Sequence, residues 1–213
     1  MAEVKQTATA IRDQDYFLES IFFKVEDRLF QVPRLHFERN EVFATLFTLP
    51  TADGSAVEGS SEKSPLVLEA ITKNDFRALL RVLYPTTVPD DYADIPLADW
   101  TSVLLLSTMW EFDDLRSLAI ERMSARGVLT SATKIILGRR YAVNEWFIHG
   151  CTELVTRMHG PTAAEMNDVG TDMAERIYKL REARVVAVTR SIMYNARERV
   201  ESEFRDVLRD GTP

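Results

Sequence analysis

The fold is decided by a stretch that begins Ile21-Phe22-Phe23-Lys24-Val25 and continues, after Glu26-Asp27-Arg28, as Leu29-Phe30-Gln31-Val32. Both runs are short and rich in apolar and β-branched residues, and the triplet between them is polar. This pattern is typical of two strands joined by a tight turn. We therefore predict a β-hairpin over residues 21–32.

A helix, a third strand and a second helix are predicted to follow the hairpin. The apolar residues 42, 43, 46 and 47 share one helical face behind Asn40, a suitable N-cap, and Pro50 ends this helix. After a polar loop, residues 64–68 form a compact apolar strand. A second apolar helical face runs from Phe76 to Tyr84 and stops before Pro85.

The remainder of the chain is predicted to be helical. Apolar residues recur there at three- and four-residue steps, which is the spacing of amphipathic helices. The final segment, Asp172 to Arg209, is expected to form one long amphipathic helix or two. The simplest organisation is a mixed α/β unit followed by an α-helical unit.

Composition and charge exclude several classes of protein. Of the 213 residues, 46% are hydrophobic, and the formal charge is -7, which disfavours a nucleic-acid surface because binding phosphates needs clustered Lys and Arg. No segment has the roughly 18 uninterrupted apolar residues of a membrane span, and the first residues do not resemble a signal peptide. Cys151 is the only cysteine, so no internal disulfide forms. We expect an intracellular protein, in the cytoplasm or nucleus, that binds neither nucleic acid nor membrane.

The sequence offers little chemistry. It has no G-x-S-x-G motif and no glycine-rich phosphate loop. The alternative to a binding protein is a metal protein or enzyme that uses His149, Cys151 and His159, since imidazole and thiolate bind zinc. Their spacing matches none of the usual zinc patterns, and Cys151 lies on an apolar helical face, where a free cysteine acts as a small hydrophobe. We therefore predict no catalytic activity, no metal and no cofactor.

A partner surface is predicted around the first helix. Leu35, Phe37, Phe43 and Leu46 are more large apolar side chains than a short helix pair usually buries. A small sheet also exposes an edge strand to which another chain can pair. Both features favour a protein that assembles with another protein.

The order of the motifs resembles the BTB/POZ domain proteins, in the form expanded in mushroom-forming (basidiomycete) fungi. The matching motifs are Phe22-Phe23-Lys24-Val25, Leu29-Phe30-Gln31-Val32, Arg39-Asn40-Glu41-Val42-Phe43, Pro65-Leu66-Val67-Leu68, Asp75-Phe76-Arg77-Ala78-Leu79-Leu80, Trp110-Glu111-Phe112 and Arg140-Tyr141-Ala142-Val143-Asn144-Glu145-Trp146. The similarity covers roughly residues 16–184.

The resemblance implies an α+β fold, with a BTB/POZ-like small sheet flanked by helices and an α-helical extension. It implies a BTB/POZ-like domain over 16–126 and the extension over 127–213. Residues 1–15 are mostly polar and small, so we expect them to form a flexible arm. Such proteins are often homodimers through their N-terminal segment, which adds Tyr16 and Phe17 to the predicted surface. Some are substrate adaptors of cullin-type ubiquitin ligases and carry a hydrophobic-x-Glu triplet shortly after the first helices. At this place the chain offers Thr51-Ala52-Asp53 and, later, Ala56-Val57-Glu58, which is a poor match. A homodimerising scaffold and a cullin adaptor are both open at this point.

Overall fold

The chain divides into two compact units, Met1–Ser117 and Leu118–Pro213. The computed structural model describes residues 11–48, 57–86 and 92–210. Its fold is α+β, with a small sheet and flanking helices followed by further helices, as the sequence predicted. The division between the units lies inside a helix, whereas the sequence placed the boundary after residue 126.

The sheet of the first unit has three strands in the order β2-β1-β3. β1 (Ser20–Val25) and β2 (Arg28–Pro33) form the predicted antiparallel hairpin, with Phe23 opposite Phe30. β3 (Leu66–Leu68) pairs in parallel with β1 on its other side. The inward side chains of β1 at residues 21, 23 and 25 are fully buried, so one face of the sheet carries the core.

The first unit also contains helices. They are α1 (Leu35–Glu38), α2 (Glu41–Thr48), α3 (Lys73–Leu83), α4 (Leu97–Met109) and the start of α5 (Asp113–Ala125). Of these helices, α1, α2 and α3 contact the sheet through Phe37, Phe43 and Phe76. Asn40 caps α2 as predicted, since its Oδ1 accepts a 3.1 Å hydrogen bond from the Phe43 amide. α3 begins with a capping box between Thr72 and Asp75. The four-residue α1 was not predicted, because so short a helix has no periodicity to recognise. Pro50, the predicted end of α2, lies outside the described residues.

Aromatic rings form the core of the first unit. Phe23 contacts Phe37 at a ring-centroid distance of 4.7 Å and Phe76 at 5.2 Å, and Phe37 contacts Phe43 at 4.9 Å. Phe37 is 0% exposed and Phe43 is 1% exposed. The prediction that these two side chains lie on an exposed partner surface is therefore wrong. They instead provide the contact between the first two helices and the sheet.

The second unit consists of helices. After the end of α5 they are α6 (Ser131–Arg140), α7 (Asn144–Thr156), α8 (Ala163–Val169), α9 (Thr171–Thr189), α10 (Ala196–Glu203) and α11 (Arg205–Asp210). Their shared core includes Ile135, Phe147, Cys151, Leu154, Ile177, Val200 and Phe204. The final segment thus forms three helices where one or two were predicted. The chain leaves α9 at Ser191, whose φ is 55°, and Asn195 caps α10.

Among the described residues, no helix combines the length and apolar character needed to cross a membrane.

Candidate functional site

The predicted partner surface is only partly exposed. Tyr16 is 86% exposed, Phe17 56% and Leu46 41%, whereas Leu35 is half-buried. Phe37 and Phe43 lie in the core and do not contribute. Leu18 adds a large apolar side chain that was not predicted, and it is 45% exposed.

The segment that carries the exposed aromatic residues has local order. The Asp13 carboxylate accepts hydrogen bonds from the backbone amides of Asp15 and Tyr16, at 3.0 and 2.9 Å. These bonds close a turn. The Arg12 guanidinium lies 4.4 Å from the centroid of the Phe17 ring. The turn presents Tyr16 and Phe17 outward instead of folding them onto the unit.

One arginine joins this segment to the first two helices. The Arg34 amide donates a 2.7 Å hydrogen bond to the Glu19 carbonyl, directly after the exposed residues. The Arg34 guanidinium lies 4.2 Å from the centroid of the Phe47 ring and 2.8 Å from the Glu38 carboxylate. The segment therefore ends beside the start of α1 and the end of α2. We define the N-terminal surface as Tyr16, Phe17, Leu18, Leu35 and Leu46.

An open strand edge lies in the same unit. Among the described strands, β2 pairs with β1 alone, so its other edge has unpaired backbone groups. Leu29 on this strand is 46% exposed. β2 ends at Pro33, immediately before Arg34, which brings its end close to the N-terminal surface.

A second group of exposed apolar residues lies in the other unit and was not predicted. It consists of Val185, Val186, Val188, Ile192 and Met193, which we call the α9-end patch. The sequence placed Val188 and Ile192 on the apolar stripe of one long amphipathic helix or two, but they are 63% and 57% exposed, and α9 ends at Thr189. The run Val185-Val186-Ala187-Val188 is the signal in the sequence, since it is too wide for one buried stripe.

The alternative metal or catalytic site is not assembled in the part of the chain that the structure describes. Cys151 is 0% exposed, and burial raises the pKa of its thiol to about 12, which disfavours the thiolate that binds metals. His149 is exposed, and its Nδ1 lies 3.0 Å from Lys134 Nζ and 3.3 Å from Glu153 Oε1. No group of three His, Cys, Asp or Glu side chains suited to a metal ion occurs within residues 11–48, 57–86 and 92–210.

A shallow groove lies between α6 and α8. Its volume is about 380 Å³, and it is lined by Ile135, Ile136, Arg139, Arg140, Asp168 and Val169. The lining combines apolar and charged side chains, and the two arginines lie at the carboxyl end of α6, where cations are favourable on electrostatic grounds alone. Nothing in this groove combines a nucleophile with a base.

The structure describes only part of the hydrophobic-x-Glu triplet that a cullin adaptor would use. Val57 and Glu58 lie within the described residues, whereas Ala56 and the other candidate triplet, Thr51-Ala52-Asp53, lie outside them. The adaptor role stays a prediction.

Comparison with known proteins adds no assignment. No protein-family model matches the chain, and a search of curated proteins found no match.

Proposed function

We propose that this protein is a non-catalytic interaction module of the BTB/POZ type that pairs with a second copy of itself through the N-terminal surface. The observation that carries the proposal is the exposure of three consecutive large apolar residues, Tyr16, Phe17 and Leu18, on a turn fastened to the helices. Single exposed apolar residues are ordinary, but a contiguous group typically marks an interaction site.

The contacts of Arg34 hold the end of the N-terminal segment in a defined position. Its backbone bond to Glu19 and its stacking on Phe47 fix where the segment leaves the unit. Because the position is fixed, less conformational entropy is lost when a partner binds. Tyr16 and Phe17 also fit an interface by residue type, because aromatic residues are enriched in protein interfaces.

A twofold contact between two copies would cover both the N-terminal surface and the open edge of β2. In such a contact each copy offers the same patch, so the apolar residues of one N-terminal surface cover those of the other. A stable dimer buries about 800 Å² on each partner. Five side chains are too few for that area, so we expect the contact to extend along the open edge of β2.

The proposal is tested by light scattering behind a sizing column. The wild-type chain is expected to run at twice its 24.3 kDa mass, and the double variant Tyr16→Glu, Phe17→Glu at 24.3 kDa. The control is Val128→Glu, because Val128 is 55% exposed and lies in the other unit. This control is expected to remain dimeric. A monomeric wild type, or a dimeric double variant, would overturn the proposal.

A further inference from the structure

The α9-end patch is a second, separate apolar surface. Its side chains are 48–96% exposed, and Met193 and Val188 are the most exposed of them, at 96% and 63%. We infer that this patch is the docking site for an acidic amphipathic helix of a partner protein. The inference goes beyond the proposed self-association, since it concerns different residues in a different unit.

The backbone beneath the patch is well fixed. After α9, the Ile192 amide donates to the Ala187 carbonyl at 2.8 Å and the Ser191 amide donates to the Val188 carbonyl at 3.1 Å. These are the two bonds of a Schellman motif, in which Ser191 takes the left-handed conformation. The Tyr194 hydroxyl donates to the Leu180 carbonyl at 2.9 Å and fastens the turn back onto the helix. The exposed side chains are therefore presented in a defined arrangement.

The core of the second unit does not need these side chains. α9 packs into that core through Met173, Ile177, Leu180 and Ala187, all of which are buried. Val185 and Val188 lie three residues apart, so both project from one side of the last turns of the helix. The patch is an additional apolar face of α9.

The chain segment that carries the patch has more basic than acidic side chains, although the chain as a whole has a formal charge of -7 and the exposed Glu182 lies one helical turn before Val185 and Val186. No Asp or Glu occurs between Glu182 and Glu198, whereas Arg184 and Arg190 do. Neither arginine has a carboxylate partner among the described residues. Both Arg184 and Arg199 lie close enough to the Tyr194 hydroxyl to influence it electrostatically. Carboxylates on a partner would pair with these guanidinium groups.

The composition of the patch favours a protein partner over a membrane. Valine dominates the patch, and no Trp or Phe is present, whereas these aromatic residues typically anchor proteins at a bilayer surface. A helix with leucines on one face and flanking Asp or Glu complements both the valines and the arginines.

The test is a fluorescence-anisotropy titration with a synthetic probe peptide. The probe is a labelled amphipathic helical peptide with Leu on one face and Glu on the other, and the matched peptide has Lys in place of Glu. We expect saturable binding of the Glu peptide, at least about tenfold tighter than the Lys peptide and weakened by salt. Equal binding of the two peptides, or no binding of the Glu peptide, would overturn the inference.

Variants locate the binding on the protein. Val185→Asp combined with Val188→Asp is expected to weaken binding by at least about tenfold, and Arg184→Glu with Arg190→Glu is expected to remove the preference for the Glu peptide. Val128→Asp is the control for an exposed valine elsewhere and should bind as the wild type does. Unchanged binding by the Val185 and Val188 variant would contradict the inference. The substituted valines and Arg190 are exposed and Arg184 is half-buried, so the variants are expected to fold. A thermal melt checks that they do.

Two further measurements distinguish a protein partner from a membrane, and the α9-end patch from the N-terminal surface. Sedimentation with phosphatidylserine vesicles should show no binding, and vesicle binding that depends on Val188 would overturn the inference in favour of a membrane. The Tyr16→Glu, Phe17→Glu variant is expected to bind the Glu peptide normally. Its oligomeric state tests the proposed function alone, so either claim can fail without the other.

Discussion

The side-chain amide of Asn40 donates a 2.8 Å hydrogen bond to the backbone carbonyl of Trp110, which lies 70 residues further along the chain. The same amide group lies 3.3 Å from the carbonyl of Glu111, and the Asn40 Oδ1 caps α2. Asn40 is only 6% exposed. One buried side chain therefore joins the start of α2 to the end of α4, beside the aromatic core of the first unit.

Replacing Asn40 with Ala should destabilise the protein strongly. The change removes a helix cap and leaves the buried Trp110 carbonyl without its donor, so we expect a loss of about 2–3 kcal/mol in the free energy of unfolding. The measurement is urea unfolding followed by circular dichroism. Asn74→Ala, an exposed substitution near the start of α3, is the control and should cost less than about 0.5 kcal/mol. Equal stabilities for the two variants would contradict this role of Asn40.

Gly150 is predicted to be irreplaceable where α6 and α7 pack together. A Cβ at this position would lie 2.6 Å from the Ser131 carbonyl oxygen and 2.9 Å from Ile135 Cγ1. Since a backbone atom cannot move away cheaply, Gly150→Ala should destabilise the protein by about 2 kcal/mol or more. Gly160→Ala is the matched control, because its nearest neighbour would be Arg181 at 3.9 Å. A thermal melt in which both variants resemble the wild type would show that the two helices are packed less closely.

Acid should weaken the start of α8. The hydrogen bonds from Arg157 and from the Thr162 backbone lower the pKa of Glu165 from its ordinary 4.5 to about 2. The lowered pKa means that the ionised carboxylate stabilises the folded state above pH 4.5. This stabilisation is lost as the pH falls from 4.5 towards 2, because the unfolded chain takes up the proton first. The effect is on the order of 1 kcal/mol, since the ion pair is partly exposed.

The Glu165→Gln variant provides the measurement. Its unfolding free energy, determined in urea at a series of pH values, should fall less than that of the wild type over this range. Glu182→Gln removes an exposed carboxylate that has no ion pair among the described residues, and it should keep the wild-type pH dependence. Identical pH profiles for the wild type and Glu165→Gln would refute the prediction.

Cys151 should be nearly unreactive in the folded protein. Its side chain is 0% exposed and burial raises its pKa to about 12, so both access and thiolate formation are suppressed. Alkylation by iodoacetamide, followed by mass spectrometry, is expected to be slow in buffer and complete in urea. Rapid modification under native conditions would mean that the core of the second unit opens readily.

Local sequence patterns predicted the hairpin, the cap at Asn40 and most of the helices, because periodicity and capping act over a few residues. They did not predict that Phe37 is in the core. Its burial depends on Phe23 from the sheet and Phe112 from after α4, and no local pattern records such distant packing. The end of α9 was missed for a related reason. The Schellman turn at Ser191 uses neither Gly nor Pro, which are the residues that usually mark a helix end.

The central claim, self-association through the N-terminal surface, is tested most directly by hydrogen exchange measured at low and high protein concentration. If two copies meet at this surface, the amides of residues 15–20 and of β2 become more protected as concentration rises. The Tyr16→Glu, Phe17→Glu variant should show no such change. Protection that is independent of concentration in the wild type, or that rises only elsewhere in the chain, would contradict the claim.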